Sequence, residues 1–162
     1  MSRLRLQAWL VGATVLVAFA LQLMPLPPLA EPFKPYWLGL VVVYWAIEAP
    51  ERMGLGRAFV LGLCGDLLIG ELLGEQAMRL LVLAFIVLRF RARLRAFPLA
   101  QQALALLVLL LNDRVVTLMI RGFAGEAMPP ATFWIAPVSG ALAWPLLYLA
   151  LDRARLYQRS AD

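Results

Sequence analysis

The chain has 162 residues, of which 63% are hydrophobic and 15% charged, and its mean hydropathy is +0.81. A soluble domain averages about 45–50% apolar and about 25% charged residues, so there is too little polar side chain here to cover a water-facing surface. The lack of His and the single cysteine, Cys64, argue against zinc centres, disulfides, His general bases and Cys–His nucleophiles, and the net charge of +5 falls in short breaks between apolar runs, a topological pattern and not a nucleic-acid-binding one.

The hydrocarbon core of a bilayer is about 30 Å thick, so a spanning helix needs about 20 residues. The first predicted span, 6–24, follows Arg3 and Arg5. It is longer than the apolar region of a signal peptide, about 7–15 residues, and Pro25–Ala30 is a poor cleavage site, so an uncleaved helix is predicted. Pro25, Pro27, Pro28, Pro32 and Pro35 then make a stiff connection. Three shorter apolar runs follow at 36–49, 57–73 and 77–90, and two longer ones at 99–120 and 132–151.

Charge argues that the short runs also cross. With six spans, one side collects Arg3, Arg5, Arg52, Arg57, the cluster Arg89, Arg91, Arg93 and Arg95, and Arg153, Arg155 and Arg159. The other side keeps only Lys34, Arg79 and Arg121, with Arg114 inside the fifth span. Basic residues mark the cytoplasmic side, so the pattern predicts one all-α domain over residues 1–162, a six-helix transmembrane bundle with both termini cytoplasmic. The arginine cluster reads as a cytoplasmic stop signal that attracts anionic lipid. Trp9, Trp37, Trp134 and Tyr148 fall near span ends as interface anchors, and Trp45 and Trp144 read as packing residues.

The third span carries the most information. Ala58, Gly62, Asp66, Gly70 and Gly74 recur every four residues, a stripe along one helix face on which another backbone can approach closely. Internal packing and a partner-binding face are both open readings of those glycines. An ionised Asp near a helix centre costs about 2.5–3.5 kcal/mol on the insertion scale, while the nine Leu, Ile, Val and Phe residues of this run contribute about 3–5 kcal/mol in the other direction. Asp66 therefore needs a neighbour: a proton or ion, a partner helix, or Arg79 or Arg114. Asp113, about 21 Å along the fifth span, lies at a different depth from Asp66, about 13 Å along the third, which argues against a shared metal or an acid pair. Asp113 and Arg114 project about 100° apart, so each is expected to pair with something on another helix. No P-loop and no nucleophile elbow is present, and neither a catalytic residue nor a cofactor is predicted.

Several motifs resemble the MreD family of rod shape-determining proteins. They are Pro35-x-Trp37, Tyr44-Trp45, Pro50-x-Arg52, the run from Gly56 and Phe59-Val60 through Gly62, Asp66-Leu67 and Gly70 to Leu73-Gly74, and Gln101-Gln102-Ala103. The resemblance implies a non-enzymatic, multi-pass inner-membrane scaffold that binds MreC and works with the MreB-based elongation machinery in lateral peptidoglycan synthesis. It also implies a fold similar to the substrate-binding subunits of energy-coupling-factor transporters. The alternatives are a vitamin-type binding subunit of a transporter, which needs a polar pocket open to the outside, and a proton path through Asp66, Asp113 and Arg114.

Overall fold

The computed structural model describes residues 3–160; the side chain of Arg3 lies outside that description. Seven α-helices account for the architecture, with no strand among the described residues: α1 (Arg3–Leu23), α2 (Trp37–Glu48), α3 (Leu55–Ile69), α4 (Glu75–Arg89), α5 (Arg91–Ala96), α6 (Leu99–Phe123) and α7 (Ile135–Ser160). Short 3₁₀ turns cover Glu31–Phe33 and Ala131–Trp134. Three segments are long and apolar enough to cross a membrane: Leu4–Leu23, Leu99–Phe123 and Ala131–Ser160. This is an all-α membrane protein.

Breakers set the helix limits. Pro35 precedes α2, and Pro50, two residues beyond its last helical residue, keeps the chain from continuing. Pro98 caps α6 in an extended conformation. The 57–73 prediction is corrected at its C-terminal end: α3 stops at Ile69, because Gly70 takes a left-handed conformation with φ 73° and its N–H closes the last turn onto Asp66 O. Within the arginine cluster, Arg91–Ala96 forms a short helix with Leu94 turned inward. The last helix runs on through Pro145 to Ser160, well past 151.

α1, α2, α3, α4, α6 and α7 alternate in direction. At one end Arg52 donates to Leu4 O (2.9 Å), Arg91 to Ile47 O (2.6 Å) and Arg155 to Glu48 (2.7 Å), so the start of α1 and the C-terminal part of α7 lie there. At the other, Pro-rich end, Lys34 donates to Met24 O (3.0 Å) and Trp37 N–H to Gln22 (3.1 Å).

α2 is the axis of the bundle. Leu38 to Ile47 are all buried, as expected of a helix that is apolar all round, and α1, α4, α5 and α7 pack around it. Trp45 donates its indole N–H to Thr14 of α1 (2.9 Å), and Trp144 of α7 donates to Gln102 of α6 (3.3 Å), whose amide donates on to Leu94 O (2.8 Å). Both indoles are buried packing residues. Tyr148 is not an interface anchor: its hydroxyl donates to the buried Glu48 (2.9 Å). Leu67, Leu104, Val108, Leu142 and Leu146 point outward, at 65–75% exposure, where lipid takes the place of a core.

Candidate functional site

The charged groups that the sequence places within apolar runs gather at the Pro-rich end, where α3, α4 and α6 meet. α3 and α4 form a tight hairpin. At Gly62 an added Cβ would lie 2.3 Å from the Cα of Ala77 and 2.6 Å from the carbonyl oxygen of Gln76, so the two backbones touch there. Gly65 faces the Gln76 side chain in the same way. The reversal between them is made by Gly70 and Gly74, both left-handed, at φ 73° and 95°. The expected single stripe is thus divided: Ala58, Gly62 and Asp66 line the face toward α4, and Gly70 and Gly74 belong to the turn.

Asp66 finds its partner in backbone. Its Oδ2 accepts from the N–H of Gly74 (2.8 Å) and more weakly from Ala77 (3.4 Å), and its Oδ1 accepts from Gln76 (2.8 Å). A carboxylate at the open N-terminus of α4 satisfies donors that have no partner inside the helix and meets the positive end of its dipole. Neither Arg79 nor Arg114 pairs with it. Because α3 ends three residues after Asp66, the carboxylate lies near a helix end, and its 2% exposure reflects cover by α4.

Asp113 holds the second anchor. Arg79 of α4 donates through Nε to Oδ1 (3.0 Å) and through Nη2 to Oδ2 (2.7 Å), a two-pronged pair buried on both sides. The same guanidinium lies 4.3 Å from the Tyr36 ring centre and 3.9 Å from the Glu75 carboxylate. Glu75 is also buried and accepts from Arg121 of α6 at 3.2 Å. Arg114 departs from the expectation that it would pair with another helix: it stacks over Phe133, in the turn before α7, at 4.4 Å. Glu75 and Gln76 were not singled out by sequence reasoning; their position at the start of a helix just after Gly74 is the signal that could have found them. At the opposite end, Arg91 and Arg95 of the basic cluster reach Ile47 O and Glu48, and Arg89 and Arg93 remain exposed.

The arrangement is built to hold helices together. A carboxylate caps a neighbouring helix, two arginines tie α4 to α6, and no cluster of metal-ligating side chains is present among the described residues. What the fold and its charges define is an all-α membrane protein whose ionic groups staple a hairpin to a bundle. Residues 3–153 match the family described as rod shape-determining protein MreD, and the chain belongs to that family. It is 28% identical over 154 residues to the rod shape-determining protein MreD of Haemophilus influenzae, covering 95% of each chain. A role in cell shape follows from that membership. No solved structure matches this fold, so the expected likeness to energy-coupling-factor subunits has no structural match behind it.

Proposed function

We propose that the chain crosses the bacterial inner membrane six times, with both termini cytoplasmic, and acts as a non-enzymatic scaffold of the elongation machinery. In this reading it binds MreC and, together with the MreB-based system, helps organise lateral peptidoglycan synthesis. The orientation is supported by the eleven basic residues at the termini end against four at the Pro-rich end. Family membership supports the cell-shape setting.

The observation that carries the scaffold reading is the outer face of α3. This helix joins the bundle chiefly through α4, and its small residues and Asp66 face inward. Val60, Cys64, Leu67 and Leu68 are left facing outward on a hairpin that the Asp66 cap and the Gly62 contact hold rigid. Apolar side chains on a fixed helix offer a packing surface to a single-span partner, and packing is the main force between helices in lipid. Gly62, Asp66, Gly70 and Gly74 serve this role by shaping the hairpin behind the face.

Cys64, the sole cysteine, makes the test direct. A photoactivatable maleimide placed there is expected to crosslink MreC in membranes, and Leu67→Arg is expected to abolish both the adduct and rod shape. A Cys64 probe that never captures MreC, with Leu67→Arg still co-purifying it at wild-type yield, overturns the assignment.

A further inference from the structure

Among the described residues, Arg114 is the one cation of this end with no counter-charge: its guanidinium lies over the Phe133 ring at 4.4 Å. It follows Asp113 on α6, so the two side chains diverge by about 100°: Asp113 turns to Arg79, and Arg114 turns to the space beside the Pro-rich connection and the start of α7. Two adjoining cavities open there, of about 180 and 310 Å3, and both are lined by Gln22, Glu31, Lys34 and Arg114. Among the described residues, Arg114 donates no hydrogen bond and has no carboxylate oxygen within 4.0 Å. The other cations of the lining are all engaged: Arg79 by Asp113, Arg121 by Glu75, and Lys34 by Met24 O and, at 3.8 Å, Glu31. The acids are faced as well, Glu31 by Lys34 and Glu71 by Arg121 at 4.0 Å.

The hydrogen-bonding capacity left over is mainly donor capacity. The Gln22 carboxamide oxygen accepts from Trp37 N–H, which leaves its NH2 group to the cavity. Thr132, whose hydroxyl makes no hydrogen bond among the described residues, lines the outer chamber. A guanidinium within an apolar helix bundle is costly unless it meets an anion or a water-filled cavity, and here it borders a cavity whose unused donors come from α1, α6 and the turn before α7. Arg114 and Gln22 reach both chambers from different helices, and a phosphate has oxygens enough to take the guanidinium fork and a second donor together. The inner chamber is below the about 300–1,000 Å3 of pockets that enclose whole small molecules, and it has room for one charged group.

We propose that this cavity binds a phosphate group, from a phospholipid headgroup or from free phosphate, with Arg114 as its charge partner and the Gln22 amide as a second donor. The proposal goes beyond the scaffold reading and does not rest on it; loss of phosphate binding leaves the Cys64 crosslink to MreC in place.

The test uses the full chain in dodecyl maltoside, a detergent without phosphate, titrated separately with phosphatidylglycerol and with inorganic phosphate. Bound stoichiometry is read by native mass spectrometry and affinity by the shift in melting temperature. Wild type and Arg93→Gln, an exposed arginine of the opposite end, are expected to bind one molecule. Arg114→Gln is expected to bind at least tenfold more weakly. Gln22→Glu keeps the acceptor for Trp37 N–H but adds a repelling charge, and it is expected to lose binding while folding normally. Saturation by the lipid that millimolar phosphate does not displace assigns the headgroup as source, and saturation by inorganic phosphate assigns the free anion. Wild type that binds neither probe, or Gln22→Glu that binds as wild type does, overturns the proposal.

Discussion

Breaking the Arg79–Asp113 pair tests whether the ionic groups act as staples. Asp113→Ala leaves a buried guanidinium with only the Tyr36 face at 4.3 Å and Glu75 at 3.9 Å, a carboxylate already bonded to Arg121. Two unit charges about 4 Å apart attract by about 4 kcal/mol at an effective dielectric constant of about 20. Removing one member of a buried pair typically costs about 3–5 kcal/mol, since the survivor keeps its desolvation penalty without its partner. Both Asp113→Ala and Arg79→Ala are therefore expected to lose about 3–5 kcal/mol in reversible unfolding from mixed micelles. The double variant Arg79→Met/Asp113→Leu removes both charges and refills the space, so it is expected to fall within about 1 kcal/mol of wild type or above it. Single variants that lose less than about 1 kcal/mol, or a double variant as unstable as the sum of the singles, would refute the reasoning.

Two further outcomes concern the α3–α4 hairpin. Gly62→Ala places a methyl group 2.3 Å from the Cα of Ala77 and is expected to destabilise by about 1–3 kcal/mol, whereas Gly12→Ala meets nothing within 4 Å and is expected to be neutral or to stabilise by up to about 1 kcal/mol; equal melting temperatures for the two would contradict the close contact. Asp66→Ala leaves the N–H groups of Gly74 and Gln76 without acceptors, at about 1–3 kcal/mol, and faster hydrogen exchange confined to residues 70–77 is the expected signature, with Asp66→Asn intermediate because one oxygen acceptor remains.

What the sequence made legible follows from the range of each interaction. α1, α6 and α7 are readable because length and apolarity are properties of one segment. Trp45 and Trp144 are readable as packing residues because they sit away from the ends of apolar runs. That Asp66 needs a partner was readable from the cost of burying it; the partner was not, because backbone N–H groups of the next helix leave no complementary residue type to find. Arg79–Asp113 joins positions 34 residues apart, and several acid–base pairings satisfied the same arithmetic. The early stop of α3 had a usable signal, since a glycine after an apolar run is the common left-handed helix end; the four-residue repeat of small residues hid it. α5 was obscured by its arginines, although Leu94 and Phe97, three residues apart, both pack on the core.

The burial of α2 explains why polar networks stand at both ends of the bundle. Twelve residues make a helix of about 18 Å, well short of a hydrocarbon core of about 30 Å. A helix facing lipid at that length would leave its terminal backbone groups in hydrocarbon without partners. α2 avoids that cost because ten of its residues face protein on every side, but the residues that flank it are then drawn inside as well. Tyr36, at its start, meets the Gln76 carboxamide at 3.4 Å and the Arg79 guanidinium; Glu48, at its end, accepts from Arg155 and Tyr148. Each buried polar terminus needs a partner from α4 or α7. In this chain the short central helix and the ionic staples around it are two consequences of one choice, to surround α2 with protein instead of lipid.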